Sequence, residues 1–455
     1  MKTTKNLFGA LALSLLASSV LAAVPAAEVA KLGTTLTPLG GEKAGNADGS
    51  IPAWNGGLPK NAASVNAGGF LGNPFADEKP LFTITAANAD QYKDKLSAGQ
   101  LAMLKRYPDT YKLPVYTTHR TVSVPDSINE AAKISAAKTT TVEGGNGLLN
   151  FTESRNYAFP IPQNGLEVIW NHITRYRGGN LRRSYVQATP QTNGSYTLVN
   201  FVDEVSFPQN MEGMDPEKSA NALLFFKQQV TAPARLAGNV LLVHESLDQV
   251  KEPRMAWIYN AGQRRVRRAP QVSYDGPGTA SDGLRTSDNF DMFNGAPDRY
   301  DWKLIGKKEM YIPYNNYKLE SPDVKYSDIL KTGHANQDLA RYELHRVWEV
   351  EANLKAGERN IYAKRKFYVD EDSWTIVASE MYDGRGQLWR VGEAMLYQQY
   401  VAQAPAYAFE ALYDIIAGRY LAIGMMNEEK KSYEFGIKTS ATDYTPAALR
   451  NAGVR

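Results

Sequence analysis

Between Tyr342 and Tyr400 four runs of alternating apolar and polar residues are divided by three short polar breaks, "KAGE", "DEDS" and "DGRG". Side chains alternate with a period of two along a strand, and short polar turns join antiparallel neighbours, so the segment predicts a four-stranded meander. One face collects Leu344, Trp348, Val350 and Ala352, then Phe367 and Val369, then Trp374, Ile376 and Ala378, then Trp389, Val391, Met395 and Tyr397. A sheet with such a face must be covered or must curl on itself to keep that face from water. Four ionisable residues interrupt it: Arg346, Arg365, Glu380 and Glu393. With the turns centred on the breaks, Arg365 stands diagonally across from Glu380, at ion-pair range. Two readings follow. Buried charge is costly unless paired, so the four can form a structural network at one end of the sheet. Alternatively they hold the polar head of an amphiphile whose tail lies on the aromatic surface.

The rest of the chain is also rich in strand patterns, with runs at "SYTLVNFVDEVSF", "NVLLVHESL", "MAWIY", "RRVRRA" and "KKEMYIPY". The 26 Tyr and seven Trp lean the same way. Helices are expected after Thr85 in "AANADQYKDKLSAGQLAMLKRY", and after Asn164, which with Glu167 forms a capping pattern before "VIWNHITRYRG". Two more are expected: after Asp215-Pro216 through "EKSANALLFFKQQV", and in "AYAFEALYDIIAGRY". From Ala23 to about Pro80, Gly, Pro and Asn recur with neither helical nor strand period, which predicts an extended arm over the main body. "NADGS" within it reads as a turn, since the third carboxylate and the distal Glu of a calcium loop are missing. The expected organisation is a signal peptide over 1–22, an arm plus helix over 23–110, and one β-rich domain over 111–455.

The compartment follows from "MKTTKNLFGALALSLLASSVLA", which has a charged start at Lys2 and Lys5, an apolar run from Leu7 to Ala17, and small residues at a cleavage site ending in Ala22. This predicts export to the periplasm. With no cysteine in the chain, disulfides, thiolate chemistry and a lipid-modified cysteine are excluded. Without Lys2 and Lys5, the 51 Lys and Arg fall to 49 against 48 Asp and Glu, so no net field steers the protein to nucleic acid.

Catalytic signatures are thin. There is no G-x-S-x-G elbow, and the five His are isolated in sequence with no metal spacing, so neither metal nor cofactor is expected. His244 lies inside a strand as a core residue, and His345 alternates onto the polar, solvated face of its strand. The segment "YDGPGTASDGLRTSDNFDMFNGAPDRYDW", Tyr274 to Trp302, is a long polar loop with six Asp. A loop of this length is either functional or held by a specific network. It follows "YNAGQRRVRRAP", a hairpin whose turn Asn260-Ala261-Gly262-Gln263 sets Trp257 opposite Val266. Arg264 and Arg268 then share a side with Trp257 while Arg265 and Arg267 take the other, so no single basic surface forms. Pairing of these arginines with the aspartates is the expected anchor of the loop.

The stretches "LGGEKAGNADGSIPAWNGG", "NPFADEKPLFTITAANADQYKDKL", "PARLAGNVLLVHESLDQVKEPRMAWIYNAGQRRVRRAP" and "GTASDGLRTSDNFDMFNGAPDRYDWKL" closely resemble a family of periplasmic proteins of Gram-negative bacteria. That family is classed as a domain of unknown function and often labelled "outer membrane lipoprotein-sorting protein". The resemblance covers nearly the whole mature chain and brings no catalytic residues. It implies a fold like that of the Lol-type lipoprotein carriers, a large curved antiparallel sheet or open half-barrel closed by a few helices around an apolar cavity. "AWIYNAGQRRV" is similar to the W-x-Y-(D/N)-P hairpin of those carriers, with Ala261 in place of Pro. It further implies traffic of lipophilic molecules beside a resistance-nodulation-division type transporter and an outer-membrane partner. The expected function is therefore a periplasmic carrier or adaptor that is not an enzyme and binds an acyl chain, sterol or similar molecule. Trp257, Trp348, Trp374 and Trp389 would line the site, and Arg346, Arg365, Glu380 and Glu393 would surround the head. The alternatives are an envelope hydrolase, with the Asp-rich loop as acid and His244 as base, and a structural adaptor whose cavity is filled by its own side chains.

Overall fold

A computed structural model describes residues 24–152, 155–269 and 272–453. The signal peptide expected over 1–22 lies outside them. Sixteen strands form one sheet. Two short ones come first, β1 (Phe82–Ile84) and β2 (Leu113–Val115). A six-strand meander follows: β3 (Leu181–Ala188), β4 (Leu198–Ser206), β5 (Ala222–Ala232), β6 (Val240–Ser246), β7 (Met255–Asn260) and β8 (Arg265–Arg268). A seven-strand meander comes next: β9 (Tyr300–Pro313), β10 (Tyr342–Leu354), β11 (Lys364–Asp370), β12 (Ile376–Tyr382), β13 (Leu388–Gln399), β14 (Ala404–Asp414) and β15 (Arg419–Met425). A last short strand, β16 (Glu434–Phe435), pairs with β3.

The two meanders join through the antiparallel pair β15 and β3, with Ala422 opposite Ala188. That junction leaves β8 at one margin and β9 at the other, and among the described residues nothing pairs them, so the sheet is an open half-barrel. The chain must therefore travel from one margin to the other between β8 and β9. It does so through the Asp-rich loop, which crosses one face of the sheet, here called the inner face.

Three helices of some length accompany the sheet: α1 (Ala98–Arg106), α2 (Asp126–Lys138) and α3 (Gly165–Thr174). The segment expected to be one long helix after Thr85 is helical only from Ala98, where Ser97 and Gln100 form a capping box; the residues before it make two single 3₁₀ turns. Asn164 caps α3 by accepting from the Glu167 N–H at 3.0 Å, while the Glu167 carboxylate accepts from the Gln163 N–H at 2.6 Å. Helix α2 is not among the expected helices, although Pro125-Asp126 and the S-x-x-E spacing of Ser127 and Glu130 mark its start.

Two expected helices are strands. "ALLFFKQQV" is β5, where Leu224 and Phe226 face inward and Phe225 faces outward. "APAYAFEALYD" is β14, paired along both sides with β13 and β15. In both, residues of good helix propensity are buried on two faces, and sheet pairing overrides a weak local preference. The arm from Val24 to Pro80 lies over the body as expected: Trp54 donates to the Val122 carbonyl at 3.1 Å, the Trp374 indole to the Leu39 carbonyl at 2.7 Å, and the Tyr400 hydroxyl to the Ser64 carbonyl at 2.8 Å.

The meander of Tyr342 to Tyr400 forms with turns at "DEDS" and "DGRG" as expected, while the first connection runs on from "KAGE" to Ala363, and the sheet does not have one apolar face. Tyr368 pairs with Ala378 and Val369 with Ile376, so Ile376 and Val377 together oppose a single residue. The extra residue of this bulge reverses the alternation. Arg365 lies opposite Ala352 and shares the inner face with Trp348 and Phe367. Glu380 and Glu393 lie opposite Val391 and Ala378 on the outer face. Both faces are buried, the inner one under α3 with Val168, Ile169 and Trp170, the outer one under α1 with Met103 and Leu104.

Candidate functional site

Beneath the crossing loop the inner face leaves a cavity of about 190 Å³. Its floor is made by the inward residues of five neighbouring strands, β3 to β7: Leu181, Val205, Leu224, Phe226, Val243 and Ile258 among them. Strand alternation explains the choice, since Leu181, Val205, Phe226 and Val243 are directly opposed across four strands. The loop supplies the roof with Pro277 and Phe290, and Tyr407 and Tyr433 close one side.

Eight charged side chains are set into this apolar wall, five Arg and three carboxylates. Arg175, at the C-terminal cap of α3, pairs with Asp291, and Arg177 reaches the other oxygen of the same carboxylate at 2.8 Å. Burial alone would raise Asp291, but these two guanidinium groups hold it well below the usual carboxylate range. Arg254 pairs with Glu245 at 2.6 Å and donates to the Val272 and Asn294 carbonyls at 3.0 and 2.9 Å, tying the loop's two ends together. Arg183 lies 3.5 Å from Asp203 and stacks over Tyr185; burial pushes Asp203 up to about 6 against the pull of Arg183.

Arg285, from the loop itself, differs from the other four. It is 4% exposed, its Nε has no hydrogen-bond partner, and among the described residues no carboxylate lies within ion-pair distance of it. Its guanidinium stacks over Phe290, 5.3 Å from the ring centroid. Gly278 lies against it: a Cβ at that position would sit 2.7 Å from the Arg285 Cζ, so any larger residue there would have to push the guanidinium aside.

The loop is pinned, though not by its sequence neighbours. Asp288 pairs with Arg365 at 2.6 Å, Asp282 with Arg419, and Asp291 with α3. The Glu410 carboxylate accepts from the Met292 N–H at 2.9 Å, and Arg390 donates to the Gly283 carbonyl at 2.7 Å. The hairpin register is shifted two residues from expectation, with Val266 opposite Tyr259 and Arg268 opposite Trp257, because the four-residue turn falls one position later, over 261–264. A two-residue shift preserves the faces, so Arg268 still stacks over Trp257, at 6.0 Å. Arg265 and Arg267 are exposed on the margin strand, and among the described residues they meet no carboxylate of the loop. Charge on such a margin discourages pairing with another chain.

None of the eight residues singled out in the sequence is among those lining the cavity. Trp257 packs edge-on to His244 at 4.8 Å on the outer face. Trp348 and Trp374 stack at 5.9 Å under the arm, and Trp389 donates to Asp414 at 2.8 Å. Arg346 pairs with Glu371 at 3.1 Å and reaches the Ala44 carbonyl at 3.2 Å. The expected pair of Arg365 and Glu380 does not form, because the bulge places them on opposite faces. Glu380 instead accepts from the Gly99 N–H at 2.8 Å and the Tyr382 hydroxyl at 2.6 Å, while Glu393 accepts from Tyr111 at 2.7 Å and Tyr342 at 3.1 Å. His345, expected in solvent, is buried, stacked on Tyr314 at 3.7 Å and bonded to Glu343 at 2.9 Å.

His345, Asp370 and Asp372 could offer ligand atoms within 4.8 Å of one another. Both oxygens of Asp372, however, accept from Arg120 at 2.8 and 2.7 Å, so a cation would have to displace a guanidinium already in place. His244 bonds the Tyr444 carbonyl through Nε2 at 2.7 Å, on the face away from the cavity. Of the features bearing on the cavity, the length of the Asp-rich loop and the strands β4, β6 and β7 of its floor are visible in the sequence, and its charged lining is not. Arg175, Arg177, Arg183 and Arg285 are spread over 111 positions and carry no motif.

The model of a family described as "Protein of unknown function (DUF1329)" matches residues 83–450. An "Uncharacterized protein PA3922" of Pseudomonas aeruginosa is 69% identical over 457 residues, covering 100% of both chains. Among solved structures, an outer membrane lipoprotein-sorting protein domain from Vibrio parahaemolyticus is similar at 14% identity and a TM-score of 0.43, over 63% of this chain and 98% of its own. LolA superfamily protein NE2245 from Nitrosomonas europaea is similar at 9% identity and a TM-score of 0.38, over 62% of this chain and 98% of its own.

Proposed function

Since the chain belongs to the DUF1329 family, which prescribes no activity, we propose from its own geometry that it is a carrier or adaptor holding a lipophilic molecule in the inner-face cavity. The observation that carries this reading is the cavity itself, an apolar floor drawn from five strands under a loop fixed by ion pairs. Apolar surface removed from water contributes about 25 cal/mol per Å², or roughly 0.8 kcal/mol per methylene. A dozen methylenes therefore supply about 10 kcal/mol, comparable to the 4–15 kcal/mol that association costs.

The site of action is the periplasm, a reading that rests on the leader pattern in residues 1–22. Among the described residues no helix is long and apolar enough to cross a membrane. The partners assigned by the same reading are an inner-membrane resistance-nodulation-division type transporter and an outer-membrane protein, between which an acyl chain or sterol would pass. Binding rather than catalysis is favoured because His244 is engaged by a carbonyl and faces away from the Asp-rich loop, whose aspartates are largely occupied by arginines.

The test is to purify the protein from its native envelope, extract it with organic solvent and analyse the extract by mass spectrometry. A lipophile recovered near one per chain is the predicted result. Empty protein from every preparation, or turnover of a lipid ester abolished by His244→Ala, would contradict the carrier.

A further inference from the structure

Five guanidinium groups line the cavity against Asp203, Glu245 and Asp291. Arg175 and Arg177 share Asp291, Arg254 has Glu245, and Arg183 has Asp203. Arginine does not lose its proton in proteins, so Arg285 stays a cation that, among the described residues, has no carboxylate at ion-pair distance; Glu410, Asp203 and Asp288 act on it only from farther off. An isolated buried charge is strongly unfavourable, and folds retain one only where something else compensates it. The surroundings of Arg285 hold its guanidinium in place without neutralising it. Phe290 stacks on one side, the Gly278 backbone lies close against the group, and among the described residues its acceptor is the Thr286 carbonyl at a long 3.4 Å. Of the two carboxyls beyond the lining that act on Arg285, Glu410 is occupied by the Met292 N–H and pushed up to about 7 by burial, and Asp288 is paired with Arg365.

We propose that the ligand is an alkyl amphiphile with an anionic headgroup, a carboxylate or a phosphate ester, and that Arg285 is the residue that pairs with it. The inference rests on the carrier reading and adds the ligand's charge and orientation to it. The head lies under the loop at Arg285, and the tail runs across Leu224, Phe226 and Val243. A planar guanidinium offers two parallel N–H donors to either oxyanion, so both head types fit the same geometry.

The experiment uses delipidated full-length mature protein and three probes of equal chain length: dodecanoate, dodecyl phosphate and dodecanol, titrated by calorimetry. The prediction is that one or both anions bind about 10- to 100-fold more tightly than the alcohol, the range expected of a charge-assisted hydrogen-bonded contact. Which anion wins identifies the head. Arg285→Met should bring anion binding down to the level of dodecanol, leave dodecanol unchanged, and raise the Tm of the ligand-free protein by removing an uncompensated charge. Gly278→Ala, which pushes a methyl into the guanidinium, is the second variant and should weaken the anions alone. Equal binding of alcohol and anions, or anion binding unaffected by both variants, overturns the headgroup assignment and leaves the carrier standing. Failure of all three probes to bind also overturns it, and the carrier then stands or falls on the envelope extract.

Discussion

Strands β10 to β15 and strands β3 to β8 belong to one sheet, yet they are finished in opposite ways. In the first group almost every residue is buried, because α3 covers the inner face and α1 with the arm covers the outer one. Its buried charges are matched: Arg365 by Asp288, Glu393 by the hydroxyls of Tyr111 and Tyr342, Asp372 by Arg120. In the second group burial alternates with partial exposure along β4 and β7, and the inner face meets only a loop, whose Arg285 has no carboxylate at ion-pair distance among the described residues. The half whose buried arginines are paired with carboxylates is the scaffold, and the half that faces Arg285 is where a ligand has something to contribute.

The largest effect that could break this comparison is expected at the loop's main anchor. Asp291→Ala strands Arg175 and Arg177 in the wall and should cost about 3–5 kcal/mol in urea unfolding. A loss below about 1 kcal/mol would mean that the loop is not held from α3. Next come matched aromatic deletions. Phe367→Ala in the covered half should destabilise by about 3–5 kcal/mol, since nothing can refill the space. Phe226→Ala on the cavity floor should cost less than half as much while weakening retention of the extracted lipophile. Equal losses at the two sites would erase the distinction between scaffold and cavity.

A third effect is pH-dependent and belongs to the covered half. Burial pushes Glu393 up to about 7, although the two tyrosine hydroxyls work against it. Burial likewise pushes Glu320 up to about 8 and Glu410, with help from Asp291, to about 7. The folded chain keeps these protons to higher pH than the unfolded one, so their contribution to stability is complete below about pH 4 and is lost as pH rises through 7 to 8. Thermal scans should show Tm falling from about pH 5 to about pH 8, with Glu393→Gln flattening part of the slope, on the order of 2 kcal/mol. A Tm that rises over this window would contradict the neutral carboxyls. The smallest effect is expected at the margin: Arg265→Ala with Arg267→Ala should change stability by less than about 0.5 kcal/mol and leave proteolysis between Tyr274 and Trp302 unchanged.

The sequence made the scaffold legible and hid the site, for physical reasons that particular residues show. Turns such as "DGRG" are local, so the meander of Tyr342 to Tyr400 could be placed from its own residues. One bulge residue, Val377, then inverted the faces of β12 and β13, and no alternation count can detect a bulge that leaves the apolar pattern intact. Strand β14 reads as helical because burial on both faces removes the period-two signal, and β5 because Leu223 to Phe226 is an unbroken apolar run. The cavity arginines are assembled by long-range pairing of β3 with β15 and by a loop crossing the whole sheet, which are contacts with no local trace. The exposed run Arg264 to Arg268 drew attention because it is local, and it turned out to be the margin of the sheet.

Whether the β3 to β7 half holds an anionic amphiphile head-first under the loop can be read from a crystal structure with a dodecanoate carrying bromine at its tail end. One bromine peak in the anomalous map is expected on the floor beside Leu224 and Phe226, with the carboxylate at Arg285. A bromine peak on the aromatic surface of Trp348 and Trp374, or a head turned away from Arg285, would contradict it.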